Sequence, residues 1–562
     1  MKLWLKEVLI LLSVAGGSPA IAQRLASLEL DLSLLLYLAL FAMLLACLLL
    51  AAYVRNGVLR CFYALLFAAS AFFLDSFERI TSEHLTYDAF INMVNSAGFA
   101  GDALQQHWVP TLWSALVALL LLAGIAIPPR PSFRLPGFIA AAPPAGLAAL
   151  SLLLFVRGGE GARGLPAAFT PLAYSAIFLY ETGADGIAPR EPVRLRPRRS
   201  AAGRDIVLII DESVAGNYLD INSPGAVRSG LAEPRAGIRI HSYGHAASIT
   251  NCSVGTNVTL RHGGTRADYQ RINASMPSIW SYARRAGLRT VYIDGQRTGG
   301  KLHNMMSREE LQAIDRFIQF DGVPVRDRDL AAADQLAELI NNRTAELVVV
   351  NKVGAHFPVH DKYPDAFMRY RPVLPRGGHS EISDTGDRDG FGGRAEDWIR
   401  YRNSYRNTLL WNVGGFFDRL FARAKMDRAT LIYTSDHGQD LHESGSPGLN
   451  THCSSDPVIQ EGVVPLVVIE GQGLNRLDWS RNLASNHNQV SHYAIFPTLL
   501  ALLGYDEREV RPIYGASLVE RLNEPATFNA RFNARLGRKP VWVAIDPKRL
   551  PKQPEDSRPQ ER

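Results

Sequence analysis

The chain has 562 residues, with 60 Lys and Arg against 54 Asp and Glu, for a formal net charge of +6. That length accommodates a membrane portion plus one large globular domain with an ample core. The positive excess is small and scattered, which argues against a nucleic-acid partner, and four cysteines are too few for a disulfide-built scaffold.

Hydrophobicity is unevenly spread. Spanning a bilayer takes roughly 20 consecutive apolar residues, and residues 33–53, 57–75, 111–128 and 136–156 approach that length. Residues 7–22 are shorter and end in Ala20-Ile21-Ala22; further spans follow at once, so they read as a retained first span rather than a cleaved signal. Residues 1–156 are thus expected to form a transmembrane domain of about five spans. Lys2, Lys6, Arg55, Arg60, Arg130 and Arg134 then fall on one side, the cytoplasm. The loop 76–110, with Glu78, Glu83, Asp88 and Asp102, and everything after residue 157 fall outside. Residues 84–106 have helical apolar spacing suited to the membrane surface, and 167–180 suit an interfacial or packed core helix. Residues 157–204 end in a basic linker, densest at Arg194, Arg196, Arg198, Arg199 and Arg204, that is solvated or rests on anionic headgroups.

Residues 205–545 alternate apolar β-branched runs with helical patterns, and a polar tail, 546–562, follows. Strands are expected at 205–210, 289–293, 346–350, 429–433 and 464–469, and helices at 277–286, 329–342, 397–424 and 491–504. The fold class is therefore α/β, a mostly parallel sheet covered by helices on both faces. In such sheets reactive residues collect at the carboxyl ends of strands. Asp211-Glu212, Asp294, Asn351 and Ser435-Asp436-His437-Gly438 all follow strands directly, so they are expected along one edge. Carboxylates with one imidazole suit a divalent cation, zinc first. The segment Asn251 to Thr259 reads as a loop of small polar residues whose Thr256 hydroxyl such an ion can make nucleophilic. Cys47 and Cys61 lie in apolar runs, whereas Cys252 and Cys453 flank site candidates and can pair in an oxidising compartment.

The ordered set Glu212, Cys252-x3-Thr256-x2-Thr259, His356-x-Pro358-x4-Tyr363-Pro364, Tyr405-x-Asn407-Thr408, Ser435-Asp436-His437-Gly438 and His452 resembles the membrane-bound phosphoethanolamine transferases of the alkaline phosphatase superfamily. The likeness covers nearly the whole chain, from five spans to the Tyr514-Gly515-x-Ser517-Leu518 ending. It implies an alkaline-phosphatase or sulfatase-like catalytic domain in the periplasm, anchored by a multi-pass bundle in a bacterial inner membrane. It implies Thr256 as the nucleophile that forms a phosphoethanolamine-threonine intermediate, with Glu212, Asp436, His437 and Thr256 holding zinc, one ion or two, or another divalent cation. His356 and His452 would contact the phosphoryl group, act as acid and base, or bind a second metal. Asn92, Ser96, His356, His452 and Asn407 would bind substrate.

The implied donor is phosphatidylethanolamine and the acceptor an envelope lipid or glycan such as lipid A, with the chain a monomer. Three positions depart from the family pattern. His262 stands where family members have a second cysteine closing a small loop around the nucleophile. Asp211 replaces a glycine and can add a carboxylate to the metal site. Ala100 stands where the family has a glutamate. Residues 371–396, rich in Gly, Asp and Arg, read as an inserted loop near the site. Cys252-Ser253-Val254-Gly255-Thr256 lacks the Pro and Arg of an arylsulfatase signature. The alternatives are a phosphoglycerol transferase, another hydrolase of the superfamily, or a non-catalytic membrane-anchored binding protein. His442 competes with His452 and ranks lower.

Overall fold

The computed structural model describes residues 5–95, 107–129, 136–185, 190–201, 203–376, 391, 393–446, 448–474 and 476–551. Ser96 and Ala100 lie outside the described residues, as does most of the inserted loop after Arg376.

Among the described residues four helices are long and apolar enough to cross a membrane: Leu32–Ala52, Gly57–Thr81, Trp108–Ala126 and Gly137–Val156. The expected first span is a bent pair, Leu5–Gly16 and Pro19–Ala26, with 63° between its halves. Gly17 and Pro19 mark the bend, where a helix loses side-chain packing and a backbone donor. The first half packs tightly on Trp108–Ala126: a Cβ on Gly16 would meet Val117 Cγ2 at 2.7 Å, and one on Gly124 would meet Ile10 Cγ1 at 2.7 Å. Small residues that let backbones approach are the usual means of joining helices in lipid. The segment expected as an interfacial or core helix is Thr170–Asp185, whose Ala173, Tyr174 and Ile177 join the apolar cluster of the membrane helices.

Among the described residues seven strands form one sheet: β1 (Asp205–Asp211), β2 (Ile238–Ala247), β3 (Arg289–Asp294), β4 (Arg316–Gln319), β5 (Glu346–Asn351), β6 (Ala429–Ser435) and β7 (Val463–Gly471). Their order is β2-β7-β6-β1-β5-β3-β4. The stretch from β6 to β4 is parallel, while β7 and β2 run antiparallel at one edge. The sheet is therefore mixed and largely parallel. Alternation along β1 separates two cores: Val207 and Ile209 face the helices Arg328–Asn341 and Ala395–Leu409, and Ile206, Leu208 and Ile210 face Ile279–Arg285 and Ile495–Leu502.

Register brings the strand ends together. Asp211 pairs with Ser435, Ile210 with Asn351, and Asp294 with Asn351. Every strand-end candidate read from the sequence lies on that one edge. The segment expected as one helix over 397–424 is instead Ala395–Leu409 and Phe416–Arg423 joined by a π-helical turn, Leu410–Gly415. Such turns free backbone groups for other partners, and here the Asn412 carbonyl accepts from Lys352 Nζ at 2.7 Å.

Candidate active site

Glu212 leaves β1 and Asp436-His437 leave β6, so neighbouring parallel strands deliver all three to one point. One ligand atom from each lies within 4.8 Å of the others, and all three residues are buried. Hydrogen bonds orient each donor. Asp436 Oδ1 accepts from Ser213 N at 3.0 Å and His437 N at 2.7 Å, while its buried Oδ2 has no hydrogen-bond partner. His437 Nδ1 lies 2.7 Å from the Gly438 carbonyl, which can only accept, so Nδ1 carries a proton and Nε2 is the atom turned to the carboxylates, where a cation would displace its proton. Glu212 Oε2 accepts from Gln296 Nε2 at 3.0 Å, and Oε1 from Ser213 Oγ at 3.0 Å and Ser253 Oγ at 3.1 Å.

The electrostatics favour a cation. Burial, then the charge of Glu212, pushes the Asp436 carboxyl up to about 8. Burial works against the charged His437 imidazole, but Asp436 and Glu212 outweigh it and raise it to about 9. An orphaned buried carboxylate oxygen, a second carboxylate and an imidazole lone pair form an O2N donor set that fits zinc or a similar divalent ion. Among the described residues it is the one cluster of this kind.

Three more histidines surround it. The His452 ring stacks on His437, with centroids 4.5 Å apart and planes at 19°. Burial, then the charge of His437, pulls His452 down to about 3, and burial pulls His356 down to about 4 against the charge of Glu212. His303, unremarked in the sequence, interacts with Glu212 and His356, and burial followed by Arg297 lowers it to about 3. All three are neutral at pH 7, suited to a phosphoryl oxygen or a second ion. His442 lies against Trp398 with ring centroids 3.8 Å apart, its nitrogens on the Ser446 and Asn450 carbonyls.

The segment around Thr256 departs from the expected loop. Ser253–His262 is a helix with Cys252 at its N-cap. Gly255 allows it to seat, since a Cβ there would meet Phe532 Cδ1 and Thr250 Cγ2, each at 2.8 Å. Serine, glycine and threonine are weak helix formers, so the segment is fixed by its ends. At its start Cys252 is bonded to Cys453, with 4.9 Å between the Cα atoms. At its finish Arg261 Nε and His262 Nε2 reach Glu310 Oε1, at 2.9 and 3.2 Å. These two ties hold the segment that a small cysteine loop holds in the family it resembles.

Thr256 itself is fully buried. Its Oγ1 donates to Thr250 O at 3.2 Å and accepts from Thr250 N at 3.3 Å, and it makes no hydrogen bond to Glu212, Asp436 or His437. Two hydroxyls touch the trio: buried Ser213 on Glu212 alone, and Ser253 on both Glu212 and His437.

Three other expected residues make their contacts away from the trio. Asp211 points to the opposite face of the sheet, as alternation along β1 demands, where Oδ2 accepts from Lys352 Nζ at 2.7 Å and Tyr433 Oη at 3.0 Å. It is therefore no additional metal ligand in this arrangement. Asn407 is fully buried, and its amide is spent on the Arg369 and Tyr370 backbone at 2.9 Å for each of three bonds, so it shapes the loop after His356 rather than facing substrate. Asn92 lies on the helix Tyr87–Asn95, where its Oδ1 accepts from Asn533 Nδ2 at 2.6 Å.

The loop carrying His452 and Cys453 rests on the outer end of a membrane helix. Leu449 N donates to Ile80 O at 3.1 Å, and Ser455 N and Oγ donate to Glu83 Oε2 at 2.7 and 2.6 Å. Glycine is required at 448, where a Cβ would meet Thr81 O at 2.5 Å.

A metal-ligating trio at the carboxyl edge of a mixed α/β sheet, with a hydroxyl at a helix N-terminus beside it, defines a metal-dependent hydrolase or transferase. Residues 204–505 match the Sulfatase family model, more than half of the chain, and the chain belongs to that family. It is similar to phosphoethanolamine transferase EptA of Escherichia coli O157:H7 and of strain K12, 28% identical over 182 residues, which is 31% of this chain and 30% of theirs. The chain thus matches less than a third of the length of these curated relatives. In fold it is similar to the integral membrane lipooligosaccharide phosphoethanolamine transferase A (EptA) from Neisseria meningitidis, with a TM-score of 0.63 and 16% identity over 91% of this chain and 98% of that one. The apolar N-terminal helices are suited by length and composition to a multi-pass membrane anchor, and the sulfatase-like domain follows them in the chain.

Proposed function

We propose that the chain is a zinc-dependent transferase of the inner membrane that moves phosphoethanolamine from phosphatidylethanolamine to an envelope acceptor such as lipid A or another glycan. The observation that carries this reading is the placement of the metal trio. His452, whose ring stacks on His437 of that trio, sits on a loop docked on Ile80–Glu83, so the site lies beside the surface from which a membrane substrate would come. The likeness to phosphoethanolamine transferases EptA supports the choice of headgroup.

The reaction runs as two displacements. A protein hydroxyl attacks the headgroup phosphorus, releasing diacylglycerol, and an acceptor hydroxyl or phosphate then takes the group. Glu212, Asp436 and His437 would hold zinc, whose charge activates the nucleophile and offsets charge growing on the phosphoryl oxygens. The N-terminus of Ser253–His262 presents backbone N–H groups and a positive helix end to those same oxygens. His452 and His303, held neutral by burial, each offer an N–H to the phosphoryl group, while His356, whose Nδ1 proton goes to Phe357 O, offers its Nε2 lone pair as a base for the entering oxygen. Asn92 stands on the membrane side as a candidate for the donor headgroup. The chain acts as a monomer.

The test uses the full chain in detergent micelles containing both phosphatidylethanolamine and phosphatidylglycerol, with purified lipid A as acceptor. Mass spectrometry of the lipid A is expected to find added phosphoethanolamine. Addition of phosphoglycerol, or no addition with the donors intact, contradicts the proposal.

A further inference from the structure

We infer that Ser253, and not Thr256, is the nucleophile; the inference rests on the transferase reading above and names the atom that carries its covalent intermediate. A nucleophilic oxygen in such a site must lie at the ligand atoms and be open to the incoming phosphorus. Ser253 Oγ meets the first condition twice, at 3.1 Å from Glu212 Oε1 and 3.1 Å from His437 Nε2. It also meets the second, because Ser253 is only partly buried. It occupies the first position of its helix, after the Cys252 cap, where the unsatisfied backbone N–H groups gather.

Thr256 meets neither condition. It lies three residues further on, about 4.5 Å along the helix axis, and is 0% exposed. Its proton and a lone pair are both engaged by Thr250, so its hydroxyl pins the helix to the chain that leads into it. Attack from Thr256 would require breaking both bonds and turning the side chain out of its packing. The disulfide Cys252–Cys453 has a direct bearing: it fixes the residue before Ser253 to the residue after His452, so nucleophile and phosphoryl-binding histidine are held by one covalent tie.

In the step, a bond forms between Ser253 Oγ and phosphorus as the bond from phosphorus to the diacylglycerol oxygen breaks. The serine proton passes to water, and the departing alkoxide takes up one proton, so charge balances. Transfer to the acceptor reverses the exchange and restores the Ser253 hydroxyl.

The test is peptide mapping of the wild-type full chain, quenched after incubation with phosphatidylethanolamine and phosphatidylglycerol micelles in the absence of acceptor. The headgroup adduct is expected on Ser253. Ser253→Thr is expected to keep an adduct at position 253, and Ser253→Ala to lose it while transfer falls about 1000-fold or more. An adduct on Thr256 overturns this inference and leaves the transferase reading intact. An adduct on Ser253 bearing glycerol supports the nucleophile and overturns the choice of ethanolamine. No adduct on either residue, with diacylglycerol still released, overturns the inference; no adduct and no diacylglycerol overturn the transferase reading beneath it.

Discussion

Lys352→Met is expected to destabilise the sulfatase-like domain by about 3–5 kcal/mol, the cost of removing one partner of a buried ion pair. Lys352 and Asp211 are both 0% exposed, with Nζ 2.7 Å from Asp211 Oδ2 and 3.7 Å from Asp329 Oδ2. The ammonium also lies 4.4 Å from the centre of the Phe416 ring and donates to Asn412 O. Methionine fills the same space with no charge, leaving two carboxylates facing each other in an apolar pocket. The damage reaches the active site by a short route. Gln296 Nε2 donates both to Lys352 O, at 2.8 Å, and to Glu212 Oε2, at 3.0 Å, so movement of the Lys352 backbone loosens the hold on Glu212. Asp329 adds to this support by accepting from Val353 N and Gly354 N at 2.7 and 3.0 Å. Denaturant unfolding of the full chain in detergent measures the loss, and adding Asp211→Asn to Lys352→Met is expected to recover part of it. A Lys352→Met protein as stable as wild type contradicts the network as drawn.

The second large effect comes from the disulfide. Cys252 and Cys453 are 201 residues apart in sequence, and closing so long a loop restricts the unfolded chain by about 5 kcal/mol in the chain-entropy treatment. The double substitution Cys252→Ser with Cys453→Ser is expected to lower the unfolding midpoint accordingly. Transfer activity is expected to fall as well, at temperatures where the domain remains folded, because Ser253 and His452 lose their common tether. Reducing agent is expected to reproduce both effects in the wild type. Alkylation of both thiols in the native, unreduced protein, or a double variant with wild-type midpoint and activity, contradicts this role.

Much of the fold could be read directly from the residues. The continuous apolar runs at 205–210, 346–350 and 429–433 are central parallel strands, and buried strands of that kind carry their own signature. β2 carries none: Ile238–Ala247 is an edge strand, partly exposed over its first half, with Arg239, His241, Ser242, Gly244 and His245 breaking any apolar run. β4 is four residues long, too short for a periodic pattern to show. Those two strands, and the antiparallel edge that β2 and β7 make, depend on contacts distant in sequence.

The site divides in the same way. Glu212, Asp436 and His437 were readable because they follow strands whose parallel pairing puts them side by side. Asp211 has the same sequence environment, but the alternation of side chains sends it to the other face, to a lysine that follows β5. The choice between Ser253 and Thr256 turned on where a helix begins, in a stretch whose composition favours no helix at all. Its start is set by a disulfide to residue 453 and by packing against Phe532, neither of which is visible locally. Gln296 and His303 come from the chain after β3, and nothing in their own neighbourhood marks them as facing Glu212.

Metal content of the full chain, purified in detergent without chelator and loaded with zinc, bears most directly on the role assigned to Glu212, Asp436 and His437. Elemental analysis after gel filtration is expected to find about one zinc or more per chain in the wild type. In Glu212→Gln combined with His437→Ala the zinc is expected to be lost, with the membrane helices and the disulfide unaffected. A wild-type protein that retains no divalent metal, or a double variant that retains the full complement, contradicts a metal-dependent transferase built on this trio.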